Sequence, residues 1–112
     1  MELRDKIMLS VRREDSFRAI KDRLKLGEVR LFRGFIRSIS AGDIISIVHS
    51  GEEIGVRVFN IAKYDTLDEM LLYTNGCGIL GKNNLNKEYY HEFYKKEDLD
   101  RYPVVVIMFN IL

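Results

Sequence analysis

At 112 residues, with 46% hydrophobic and 31% charged side chains, the chain is long enough to bury a core and too apolar for disorder. No apolar run approaches the roughly 18–20 residues that cross a bilayer, so no membrane association is expected. Net charge is +1 but uneven: residues 1–37 carry 11 Lys and Arg against 6 acids, and residues 38–112 carry 7 against 11. That basic N-terminal third suits an anionic ligand or a nucleic-acid backbone, or else a solvated basic helix face.

Lys6 to Val11 has the pattern of a first strand. Glu14-Asp15-Ser16 then offers caps and negative charge for a helix. Phe17, Ile20 and Leu24 fall on one face of that helix, with Arg18, Asp22 and Lys25 opposite, and Gly27 is placed to end it. Glu28 to Phe32 reads as a strand in which Glu28, Arg30 and Phe32 share one face and Val29 and Leu31 the other. Gly34 breaks the pattern, and Ser40-Ala41-Gly42-Asp43 makes a turn.

Ile44 to His49 is a β-branched strand, Ser50-Gly51-Glu52-Glu53 a hairpin turn, and Ile54 to Ala62 the returning strand. In the latter Val56, Val58 and Asn60 are expected on one face, Arg57 and Phe59 on the other. Thr66 and Glu69 fit a capping box for a second helix. Asn75 to Asn86 reads as an irregular loop, Lys87 to Tyr94 as a third helix, and Lys96 to Asp100 as a turn. Pro103 to Ile111, nearly all apolar, reads as a central strand covered on both faces. Five strands, about three helices and short turns predict one α+β domain over residues 1–112, with a small, mainly antiparallel, barrel-like sheet.

Few residues present reactive chemistry. Cys77, the lone cysteine, excludes an intramolecular disulfide and a cysteine-cluster zinc site and reads as a small buried hydrophobe. His49, read as an exposed strand residue, and His91, read as a surface helix residue, lack metal-ligand spacing, so no metal or cofactor is expected. Tyr89, Tyr90, Phe93 and Tyr94 read as helix packing rather than a stacking platform. The three glycines of residues 75–81 follow a helix rather than open one, unlike a phosphate-binding loop. The strongest candidate site is Lys25-x-x-Glu28-x-Arg30 at a helix-to-strand junction. As a binding site, Arg30 grips a phosphate or base edge, Lys25 adds charge, Glu28 accepts from an amine or ribose hydroxyl, and Phe32 or a tyrosine stacks. The bland alternative is a surface ion-pair network.

The order of these motifs resembles the ASCH family of the PUA-like superfamily of small β-barrels, over about Lys6 to Ile111. Such proteins carry G-x-K-x-x-E-x-R followed by a Gly-Asp pair before a strand. Lys25, Glu28 and Arg30 match that motif, Gly42 and Asp43 match the pair, and Tyr64, Leu67, Glu69, Met70 and Leu71 match the helix after the hairpin. Tyr94 falls where an aromatic often precedes the last strand. Arg23 stands where the motif has glycine, and Pro103 where a glycine is common.

The resemblance implies an RNA- or nucleotide-binding domain with a cleft lined by Lys25, Glu28 and Arg30, to which Phe32 and Asn75 are added as candidate ligand-binding residues. N-terminal residues 1–15 lack the apolar core of a signal peptide, so an intracellular, cytoplasmic protein is expected. Some bacterial members hydrolyse N4-acetylated cytidine, with the lysine catalytic, which implies Lys25 and Glu28 as catalytic in an alternative reading. Those members carry threonine in place of Glu28, and their assisting glutamate aligns with Asn75. A lysine acts as a base there only when burial or a nearby cation lowers its pKa.

Overall fold

The structure is a computed structural model and describes residues 7–74, 80 and 87–112. Strand β1 (Ile7–Ser10) leads into helix α1 (Glu14–Lys21), followed by β2 (Gly27–Leu31) and a 3-10 turn over Gly34–Ser38. The hairpin of β3 (Ile44–His49) and β4 (Glu52–Tyr64) precedes α2 (Leu67–Thr74), α3 (Lys87–His91) and α4 (Lys96–Arg101). Strand β5 (Val104–Ile111) completes the chain's regular elements. The five strands form one curled, barrel-like sheet in the order β1-β3-β4-β5-β2. Every pairing is antiparallel except β1 with β3.

The expected α+β barrel-like architecture is therefore present. Among the described residues it has four α-helices rather than about three, because Lys96–Arg101 closes a full helical turn where only a bend was expected.

The central position of β5 explains its apolar run from Val104 to Phe109, which breaks only at the exposed Asn110 near its end. It lies between β4 and β2, and its alternate residues enter two different cores. Val105, Ile107 and Phe109 join Leu9, Ile20, Ile47 and Val58 on the face that α1 covers. Val104 and Val106 join Leu31, Met70, Tyr90 and Leu99 on the opposite face, under the later helices. Where a strand is covered on both faces, as β5 is from Val104 to Ile107, a polar side chain is costly at every position.

Several local expectations need correction. Helix α1 ends at Lys21, well before Gly27, which is the buried first residue of β2. Its end is a Schellman motif: Leu24 N–H donates to Ala19 O at 2.8 Å and Arg23 N–H to Ile20 O at 3.0 Å. Arg23 takes the left-handed conformation this motif requires, with φ 62°, so a non-glycine residue sits where glycine is favoured. Leu24, beyond the helix, is 69% exposed and belongs to neither core cluster of the described residues. Glu14 and Asp15 supply first-turn charge, but the N-cap residue is Arg13 and its side chain caps nothing.

The hairpin turn is two residues, Ser50 and Gly51, both with positive φ, and Glu52 already pairs with His49. In β4 the register against β5 slips between Val58 and Asn60. This bulge shifts the alternation by one, so Asn60 is exposed while Ile61 packs on the core. The helix cap expected at Thr66 is present, with Glu69 N–H donating to Thr66 Oγ1 at 3.1 Å.

Candidate functional site

The two edges of the sheet, β1 and β2, face each other across an open seam. Arg30 on β2 spans it. Its Nη2 donates to Ser10 O on β1 at 2.6 Å, and its Nη1 donates to Val29 O at 3.1 Å and to Glu28 Oε2 at 2.7 Å. One guanidinium thus occupies carbonyls from both edge strands and a carboxylate at once, its planar fork spreading the three contacts over two nitrogens.

Glu28 is 4% exposed and Lys25 3% exposed. Lys25 Nζ stands 2.7 Å from Glu28 Oε1, so the carboxylate is held between two cations. The ammonium approaches off the hydrogen-bonding direction, and Oε1 accepts no well-aligned hydrogen bond among the described residues. That oxygen is sealed from solvent, so its charge is met by the Lys25 ammonium rather than by water. Burial alone pushes the Glu28 carboxyl pKa up, but the charges of Arg30 and Lys25 outweigh it and hold the group below its ordinary value. Burial disfavours the Arg30 cation, yet Glu28 and the Tyr94 hydroxyl more than compensate and raise its pKa.

Beside this cluster, along the seam, lies a cleft of about 700 Å³. That volume falls within the range of about 300–1,000 Å³ typical of small-molecule sites. Glu28 and Arg30 lie in its wall, as do Arg12, Arg13 and Arg33. Its aromatic lining comes from Phe35 after β2, from Tyr89, Tyr90, Phe93 and Tyr94 around α3, and from Tyr102 after α4.

The cations differ in their commitments. Arg13 pairs with Asp15 at 2.8 Å and Glu92 at 3.5 Å, and Arg33 with Asp98 at 3.4 Å. Arg12 is exposed and has no ion-pair partner among the described residues. The Tyr89 hydroxyl meets Ser16 Oγ at 3.0 Å, tying α3 to α1. Burial raises the pKa of both Tyr89 and Tyr90, so both phenols remain neutral hydrogen-bonding groups near pH 7.

No protein-family model matches the chain, and no curated protein matches it. Two solved structures share its fold over nearly their whole lengths. The crystal structure of hypothetical protein PH0355 is 28% identical, with a TM-score of 0.78 over 96% of this chain and 99% of that one. The solution NMR structure of protein PF0455 from Pyrococcus furiosus is 29% identical, with a TM-score of 0.70 over 96% and 97% of the two chains.

The residues singled out from sequence distribute unevenly over this geometry. Glu28 and Arg30 share a strand face, as alternation predicts, and both line the cleft. Lys25 does not lie on an exposed helix face. It is buried against Glu28 and contributes no surface to the cleft. Phe32 packs against the core that α1 covers and is absent from the cleft wall. Asn75 and Cys77 lie outside the described residues.

The surface ion-pair reading fails for Lys25 and Glu28, because both are buried. The third helix stops at His91 rather than Tyr94, so Phe93 and Tyr94 lie beyond it; Tyr90 is buried in a core on which Tyr89 and Tyr94 also pack, as the packing reading expects, and all four rings border the cleft. His49 is half-buried, its Nδ1 2.8 Å from Val11 O and its ring 5.5 Å from that of Phe17, whereas His91 is exposed. Sequence reasoning passed over Arg12, Arg13, Arg33, Phe35 and Tyr102. The only signal for the three arginines was the excess of basic residues in the first 37 positions, and Phe35 and Tyr102 carried none. No group of three or more metal-ligating side chains occurs among the described residues.

Proposed function

We propose that the chain is an ASCH-like domain that binds RNA or a nucleotide, with the ligand seated in the cleft between β1 and β2. The observation that carries this reading is a buried, doubly paired carboxylate in the wall of a concave site whose lining also includes four arginines and six aromatic rings among aliphatic and small residues. A nucleotide offers matching chemistry: a π-face for rings such as Phe35 and Tyr94, amine donors for a fixed acceptor, and phosphate for Arg12 and Arg33. Lys25 and Arg30 keep Glu28 ionised and oriented, so acceptor geometry is set before the ligand arrives. In this reading Lys25 is a positioning residue. Among the described residues the cleft wall carries no lysine, and Lys25 is paired with Glu28 behind it, which favours binding over a lysine-based amide hydrolysis.

The test is titration of the protein at low salt with nucleosides, nucleoside monophosphates and short single-stranded RNA. Parallel titrations use Phe35→Ala and Arg12→Ala. Phe35 is 54% exposed and Arg12 is also exposed, so neither change disturbs the fold. Loss of a stacking ring weakens binding by about 1–3 kcal/mol. Absence of binding to every probe, or unchanged affinity in both variants, refutes the proposal.

A further inference from the structure

On the sheet face that carries Arg30, positive charge extends beyond the cleft. Strand β5 pairs Val105 with Arg30 of β2 on one side and with Lys63 of β4 on the other. Residues directly opposite in antiparallel strands share a face. Arg30, Val105 and Lys63 therefore form a row across three strands, spanning about 10 Å at two interstrand spacings. Val105 is buried and Lys63 exposed.

Phe32, two residues beyond Arg30, receives two cations on its ring. Lys63 Nζ is 4.3 Å from the ring centroid and Arg37 Cζ is 5.7 Å from it. Arg37 belongs to the same 3-10 turn whose Gly34, Phe35 and Ile36 line the cleft. The two cations thus stand where the cleft wall passes onto the outer surface.

Like Arg12 and Arg101, they stand outside the described ion pairs, and they differ from those two in sharing one ring with each other. The described ion pairs engage Arg13, Arg18, Lys21, Lys25, Arg30, Arg33 and Lys87, each with an acid. Lys63 and Arg37 have no acidic partner among the described residues and are steadied by a ring face instead. An aromatic face orients a cation without neutralising it, leaving its donors available. Phe32, assigned to base stacking from sequence, has the geometry of a mount for charge.

We propose that Lys63 and Arg37, mounted on Phe32, form a phosphate-contacting rim. The ligand is then a single-stranded polynucleotide, with one base in the cleft and its neighbouring phosphates on the rim. This rests on the cleft being a nucleotide site. The experiment compares homohexameric RNAs with the corresponding 5′-monophosphates over a series of salt concentrations, on the wild type, the double variant Lys63→Gln/Arg37→Gln, and Phe35→Ala. Both rim residues are exposed, and a thermal melt verifies that the variants fold.

The wild type is expected to prefer a hexamer over its monophosphate. The rim variant is expected to lose roughly tenfold in hexamer affinity and about 1.4 in the slope of log affinity against log salt, about 0.7 per phosphate contact, with monophosphate binding unchanged. Equal hexamer affinity and slope in wild type and rim variant overturn the rim. An equal loss for hexamer and monophosphate also overturns it, since Lys63 and Arg37 then act within the cleft. Rim-dependent hexamer binding that ignores Phe35→Ala, with no monophosphate bound, upholds the rim and overturns the cleft reading. No binding of any probe overturns both.

Discussion

Replacing Glu28 by glutamine isolates the charge at the centre of the buried cluster. Glutamine keeps the shape and one oxygen that can accept from Arg30, but its amide NH2 must then face the Lys25 ammonium, which stands 2.7 Å from Glu28 Oε1. With Lys25 only 3% exposed, the lysine is left as a buried cation with no counter-charge in contact. Breaking a buried pair on one side costs about 3–5 kcal/mol, which lowers Tm by about 10–20 °C in a domain of this size.

Adding Lys25→Met to Glu28→Gln removes the stranded cation and is expected to recover at least about 1 kcal/mol. Acid titration supplies a second readout. The Glu28 carboxyl lies below its ordinary value of 4.5 in the folded chain, so its contribution is fully present above that value. The contribution is lost as pH falls through the folded pKa. The stability gap between wild type and Glu28→Gln therefore narrows in acid. Chemical denaturation across pH measures all three quantities. A Glu28→Gln variant within about 1 kcal/mol of wild type at neutral pH, or a gap that widens in acid, refutes the energetic role assigned to this cluster.

Two further substitutions test the local architecture. Arg23→Gly relieves a left-handed arginine in the Schellman motif and is expected to stabilise by about 0.5–1.5 kcal/mol, seen as a higher urea midpoint at constant slope. A lower midpoint excludes strain at this residue. Thr66→Ala removes the acceptor for Glu69 N–H and is expected to cost about 0.5–2 kcal/mol, whereas Thr66→Gly costs only a few tenths. Equal effects of the two substitutions contradict the cap.

Much of the candidate site was legible because it is built on local spacing. Glu28 and Arg30 are two residues apart in a strand, and a strand alternates whatever surrounds it, so their common face follows from sequence alone. The same rule failed for Asn60. A bulge at Val58–Asn60 shifts the alternation, and bulges are fixed by how a strand must curl against its partner, here β5. Helical spacing put Lys25 on a polar face because the periodicity was extended past Lys21, where the helix stops. Arg23 concealed that stop: its left-handed conformation carries no signal in an arginine.

By itself the sequence determined the elements whose causes are local. The β-branched run Ile44–His49, the Ser50-Gly51 turn, the Thr66 cap and the apolar strand ending at Ile111 follow from residue types within a few positions of one another. Only the tertiary structure decided which strands lie side by side. The parallel pairing of β1 with β3 leaves β1 and β2 as opposite edges, so Ser10 and Arg30 meet across a seam. The cleft exists because that seam is open, and its aromatic wall arrives from α3, nearly sixty positions beyond Arg30. Pairings at such separation depend on the shape of the folded whole, and no periodicity within a segment encodes them.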